Sequence, residues 1–242
     1  MATVLPAAGI QRPSGARPLA EMKVRAVRSP NCGERRRGQV PSLIVLHFTA
    51  MQTAEAAIER LCDPAAEVSA HYLITRQGEI VQMVPEDRRA WHAGQGEWMG
   101  QGDVNSRSIG IELDNDGQSS FPEPLMKALV ELLPQIMQRW NIAPSGVIGH
   151  SDMAPGRKMD PGPYFDWMRL ERVGLAKRRG YDDGPSDPRF ETFRRVAEYA
   201  GYTAPVDDQM LLAAVRLRYR PWATGPLQPA DYTPLGHTAL WT

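Results

Sequence analysis

The sequence predicts an α/β fold followed by a small helical module, and three observations carry that expectation. Short apolar runs bounded by turn residues, such as "SLIVLHF" (42–48) and "SGVIGH" ending at His150, read as buried strands. Between them lies helical periodicity, with Leu125, Leu129, Leu133, Ile136 and Trp140 at core spacing. Beyond about residue 180 only helical patterns remain, over 190–200 and 207–220. Strands alternating with helices, then helices alone, describe an α/β domain with a helical tail.

Taken in order, residues 1–40 are rich in Pro, Gly and Arg without periodicity and read as an irregular lead-in. Thr53 is placed to cap a helix carrying Ala57, Ile58 and Leu61 on one face, stopped by Pro64. Residues 71–84 read as two strands around a turn at Arg76-Gln77-Gly78. The loop "WHAGQGEWMGQGD" contains G-x-G but lacks the strand-turn-helix context of a dinucleotide site. "SIGIELD" (108–114) alternates cleanly, with Ile109, Ile111 and Leu113 on one face and Ser108, Gly110 and Glu112 on the other. Glu112 therefore has small neighbours and space beside it. A helix over 124–140 carries Pro134, which is expected to kink or split it. The composition of "YDDGPSDPR" marks a linker, so the expected divisions are a lead-in at 1–40, a catalytic domain at 41–180 and a helical module at 187–242.

Composition narrows the function classes. Lys plus Arg equals Asp plus Glu at 28 each, which gives no reason to expect a nucleic-acid partner. No apolar run approaches the roughly 18–20 residues of a membrane span. The N-terminus lacks the basic region and unbroken apolar run of a signal peptide, and Cys32 and Cys62 are expected to be reduced thiols. Together these favour a cytoplasmic protein.

The chemistry concentrates in "GHSDMAPGRKMDPG" (149–162), where titratable groups sit in a loop shaped by Pro and Gly. His47 and His150 each end a short apolar strand, and ligands gather at the carboxyl ends of strands in open α/β sheets. If the two strands are neighbours, both imidazoles meet at one sheet edge and Asp160 can swing back as a third ligand. Two His and one carboxylate with a fourth position open to water is a catalytic zinc arrangement. The competing reading makes each His a core or capping residue, which suits either one alone better than both together. Glu112 could act as a general base, Lys158 could stabilise an oxyanion, and His92 could bind substrate. Each also has an ordinary structural or solvated reading. "GHSDM" fails as a nucleophile elbow because Met153 stands where the final Gly is needed.

"IVLHFTA", "SAHYLITRQGEIVQMVPEDRRAWHAG", "NSRSIGIELDNDG" and "GHSDMAPGRKMDPGPYFDW" resemble, in order and spacing, the zinc-dependent N-acetylmuramoyl-L-alanine amidases of the AmpD/AmiD type. The resemblance spans roughly residues 40–168, while the tail resembles more loosely a helical peptidoglycan-binding module. It implies a mixed β-sheet with helices on both faces, and cleavage of the amide between N-acetylmuramic acid and L-Ala in peptidoglycan or muropeptides. It also implies His47, His150 and Asp160 as zinc ligands, Glu112 as acid/base, Lys158 as oxyanion donor and His92 in the substrate cleft. Phe48, directly after the first ligand, resembles the amidases of broader specificity. Cell-wall recycling, a phage-type lysin and a non-catalytic peptidoglycan-binding protein on the same fold remain as readings at this point. The last requires lost ligands, and here all three stand in place.

Overall fold

The structure, a computed structural model, describes residues 22–236 and 238–240. A six-stranded mixed sheet with strand order β1-β5-β4-β7-β3-β8 organises the chain. Its centre is parallel: β3 (Leu43–Phe48) lies between β7 (Ser108–Leu113) and β8 (Val147–Gly149), and β7 also pairs with β4 (Tyr72–Ile74). β5 (Ile80–Gln82) runs antiparallel to β4 and parallel to the edge strand β1 (Val24–Ala26). The turn between β4 and β5 contains Gly78 at φ +85°, where an added Cβ would also lie 2.7 Å from the Pro124 carbonyl oxygen.

Alternation along the strands assigns the two faces. Ile44, Leu46, Ile109, Ile111, Leu113, Tyr72 and Ile74 pack against α2 (Glu123–Trp140) on one face. The opposite face carries two separate apolar clusters. α1 (Ala54–Cys62), capped by Thr53 as its sequence position suggests, covers Leu73 and Val81. α5 (Phe190–Ala200) and α6 (Asp208–Tyr219) cover Leu43, Val45 and Ile148. Between these clusters the face is open above His47 and Glu112. The remaining helices are short: α3 (His150–Met153), α4 (Trp167–Arg172) and α7 (Pro229–Tyr232).

Two expectations need correction. Pro134 does not split α2, which continues through it with Pro134 buried in the core; packing of the apolar face of this helix outweighs one missing backbone hydrogen bond. The described part of the lead-in is not irregular: it holds β1 and also β2 (Cys32–Gly33), which pairs with β6 (Arg89–Ala90). Arg35 then anchors it, its guanidinium donating to the carbonyls of Ser106 at 3.0 Å, Ser108 at 3.1 Å and Glu86 at 2.7 Å. Residues 1–21, including the stretch compared with a signal peptide, lie outside the described residues. Among the described residues no helix is long and apolar enough to cross a membrane. Both cysteines are free thiols.

The tail is tied to the sheet by charge as well as by apolar contact. Asp152 is fully buried at the start of the long loop and accepts from the Gly149 N–H at 2.7 Å and from the Tyr202 hydroxyl at 2.7 Å. Its carboxylate also pairs with Arg218 of α6, whose guanidinium lies 3.9 Å from the Trp167 ring centroid. Removing one partner of such a pair strands the other charge. Arg218→Ala should therefore lower unfolding free energy by about 3–5 kcal/mol, read from a urea melt.

Candidate metal centre

The sheet register places the first residues of the site. The parallel pairing of β3 with β7 sets His47 opposite Glu112, and β8 pairs along the other edge of β3, with Gly149 opposite Leu46. His47 and Glu112 therefore project on one face from adjacent strands, and the neighbouring strands that the sequence requires for His47 and His150 are present. His150 sits one step further than expected: β8 ends at Gly149, and His150 opens α3. The loop returns so that the Asp160 carbonyl accepts from the Ser151 N–H at 3.0 Å, which brings the Asp160 side chain back to the strand ends.

Three ligand atoms meet there. His47 Nδ1 lies 3.0 Å from His150 Nδ1 and 2.8 Å from Asp160 Oδ2, and His150 Nδ1 lies 3.0 Å from the same oxygen. All three residues are buried. His150 Nε2 is 2.8 Å from the Ala93 carbonyl, which can only accept, so the ring proton is on Nε2 and Nδ1 presents a lone pair. Burial first, then the neighbouring His150, lowers His47 to about 4, with Asp160 acting in the opposite direction. Asp160 is held well below the usual carboxylate range; burial opposes this, but its close contacts with the two imidazoles prevail. Two imidazoles and a carboxylate converging on one buried point suit a divalent cation, and the mixed nitrogen and oxygen donors suit zinc.

Around this point lies a cavity of about 310 Å³ lined by the three ligands, Glu112, Lys158, Phe48, Trp91 and His92, among others. Every site residue expected from the sequence therefore faces one cavity. Glu112 Oε2 is buried without a hydrogen-bond partner. Burial, then the charge of Asp160, pushes Glu112 well above the usual carboxylate range, while Lys158 opposes both. A carboxylic acid shifted upward in this way is suited to taking and returning a proton near neutral pH. The Phe48 ring lies over Gly117 and Gly162, where an added Cβ would stand 3.0 and 3.2 Å from it, and forms one apolar wall.

His92 fills the space that Gly110 leaves on the Glu112 face of β7. It lines the cavity and also reaches back to His47: its Nδ1 lies 3.0 Å from His47 Nε2, and its Nε2 lies 3.1 Å from Ser108 Oγ. Burial, then the neighbouring imidazoles of His47, His71 and His150, holds it well below its ordinary pKa. Sequence reasoning missed Arg157, whose guanidinium donates to the Ala93 carbonyl at 2.7 Å and to Gln95 O, joining the "WHAGQG" loop to the ligand loop. Nothing in its sequence neighbourhood separates it from an ordinary solvated arginine.

The fold and the ligand cluster define a class. The sequence profile of the N-acetylmuramoyl-L-alanine amidase family matches residues 37–163, more than half the chain, and the chain belongs to that family. It is 36% identical over 170 residues to the 1,6-anhydro-N-acetylmuramyl-L-alanine amidase AmpD of Escherichia coli (strain K12), covering 63% of this chain and 92% of that one. It is 38% identical over 150 residues to N-acetylmuramoyl-L-alanine amidase AmiD of the same organism, but spans only about half the length of that relative, 53%. Among solved structures, AmpDh3 from Pseudomonas aeruginosa in complex with anhydromuramic pentapeptide superposes with a TM-score of 0.73 at 31% identity, covering 83% of this chain and 91% of that one. The E. coli AmiD complex with anhydro-N-acetylmuramic acid-L-Ala-D-γ-Glu-L-Lys gives 0.72 at 28% identity, covering 83% and 89%.

Gly110 is the steric condition for this arrangement, since a Cβ there would sit 2.4 Å from the His92 ring. Gly110→Ala should cost about 1–3 kcal/mol of stability through overpacking, measured by denaturant unfolding.

Proposed function

We propose that the chain is a zinc-dependent amidase that hydrolyses the amide between the lactyl group of N-acetylmuramic acid and L-Ala in peptidoglycan fragments. The observation that carries this reading is the convergence of His47, His150 and Asp160 beside a buried Glu112 in one cavity. His47 Nδ1, His150 Nδ1 and Asp160 Oδ2 would hold the ion. When bound, zinc supplies Lewis-acid chemistry, polarising a carbonyl and making water acidic enough to react near neutral pH.

The chain's own groups account for the remaining steps. Glu112 accepts the proton of the attacking water and passes it to the L-Ala nitrogen as the C–N bond breaks. Lys158 donates to the lactyl oxygen as negative charge builds on it. Phe48 and His92 line the cavity as substrate contacts. The muropeptides bound by the AmiD and AmpDh3 structures are the class of ligand that such a cavity would take. A non-catalytic binding role would leave the shifted, unpartnered Glu112 without purpose.

His47→Ala should remove most bound zinc, measured by elemental analysis, because a two-ligand site holds the ion poorly. Glu112→Gln should keep the zinc and lower kcat by about 10²–10⁴ on a soluble muropeptide. Zinc lost in Glu112→Gln would instead make Glu112 a ligand.

Residues 187–242 are proposed to add a contact to intact wall. Their inward faces are taken up by the sheet, so that contact would use exposed side chains such as Trp222, which is 72% exposed just past α6. Trp222→Ala should then slow the release of fragments from insoluble sacculi while leaving kcat/KM on soluble muropeptide unchanged. Unchanged rates on both substrates would leave Trp222 no part in wall contact.

A further inference from the structure

We infer that His92 and Ser108 form a hydrogen-bonded chain that fixes which nitrogen of His47 faces the metal, so that His92 is a positioning residue and not solely a substrate contact. The inference rests on the zinc reading above. Ser108 Oγ lies 2.6 Å from the Val104 carbonyl, which can only accept, so the single hydroxyl proton points there. Ser108 Oγ can then only accept from His92 Nε2, 3.1 Å away. A neutral His92 with its proton on Nε2 has a bare Nδ1, and that atom lies 3.0 Å from His47 Nε2. His47 must therefore donate from Nε2, which leaves the Nδ1 lone pair directed at His150 Nδ1 and Asp160 Oδ2. The hydrogen-bonded series ends at the Val104 carbonyl, which can only accept.

The arrangement parallels that of the second ligand. His150 donates from Nε2 to the Ala93 carbonyl, so the "WHAG" segment supplies an acceptor to each metal-binding imidazole, from His92 and from Ala93. Adjacent residues of one loop thus set the tautomers of both. The loop is itself fixed, because the N–H groups of His92 and Ala93 donate to Asn105 Oδ1 at 3.0 and 2.8 Å. Outer hydrogen bonds of this kind orient imidazole ligands and change metal affinity by about 10–100-fold when removed.

The test compares two near-isosteric substitutions by zinc affinity, measured in competition with a chromogenic chelator on protein shown to be folded by circular dichroism. His92→Leu removes the acceptor but keeps the bulk, whereas His92→Asn can place Oδ1 where Nδ1 was. Zinc should bind about 10–100-fold more weakly to His92→Leu and within about threefold of wild type to His92→Asn. Wild-type affinity in His92→Leu with only a raised KM would overturn the inference and leave His92 as a substrate contact. Equal weakening in both variants would also overturn it, assigning the effect to ring packing. If His92→Leu does not fold, Ser108→Ala decides: weakened zinc binding supports the chain, and unchanged binding overturns it. A wild-type protein that does not bind zinc would instead fail the zinc reading itself, a result these variants cannot produce.

Discussion

The parallel register between β3 and β7 is the constraint on which the site depends. It sets His47 opposite Glu112 on the face that also carries Leu43 and Val45. Because side chains alternate with period two, a slip of one residue would turn both groups into the α2 core and bring Ile44 and Leu46 out. The same apolar residues that hold α2 therefore hold His47 and Glu112 in place. Two polar side chains are aligned by an interaction that involves neither of their polar groups.

That geometry has an electrostatic cost, and the surroundings are arranged around it. Bringing three electron-rich atoms within 2.8–3.0 Å of one another is unfavourable on its own. They stay together because the loop bearing His150 and Asp160 is bound from several sides. Asp152 is locked by the Gly149 N–H, Tyr202 and Arg218, while Arg157 grips the "WHAGQG" loop from the opposite direction. Burial acts on Glu112 in the opposite sense from its effect on the imidazoles. It favours the uncharged form in every case, so the acid rises while the bases fall. One buried cavity thus favours an uncharged His47 and a carboxyl group on Glu112 able to carry a proton.

How much of this was legible depended on the range over which each signal acts. The alternation in 108–113 announced β7, its buried face and the space beside Glu112, because a strand of six residues displays its period. β1, β2 and β6, of three, two and two residues, are too short to display one, so the lead-in read as irregular. Both ligand histidines were visible as ends of apolar runs, yet their meeting depends on β3 lying next to β8, a matter of topology that neither run encodes. His92 was legible as a candidate substrate contact in a glycine-rich loop, but not as a neighbour of His47. Its bonds to His47 and Ser108 span 45 and 16 residues of sequence and exist only once Gly110 has admitted the ring.

The tail shows the same dependence on range. Read locally, its amphipathic helices form a separable module, since Phe193, Val196, Leu211, Leu212 and Val215 make apolar faces that a small bundle could cover. In the fold those faces are spent on Leu43, Val45 and Ile148, the residues of β3 and β8 on the ligand side of the sheet. Without α5, α6 and the turn between them these strands would be bare beside His47 and His150, and Asp152, two residues after His150, would lose Tyr202 and Arg218 together. A wall-binding role for 187–242 must therefore coexist with a structural one. The outward surface is open to selection by substrate, whereas the inward surface is already committed to keeping the ligand loop in register. A linker-like composition at 181–189 thus marks a change of pattern along the chain but not a boundary of the core.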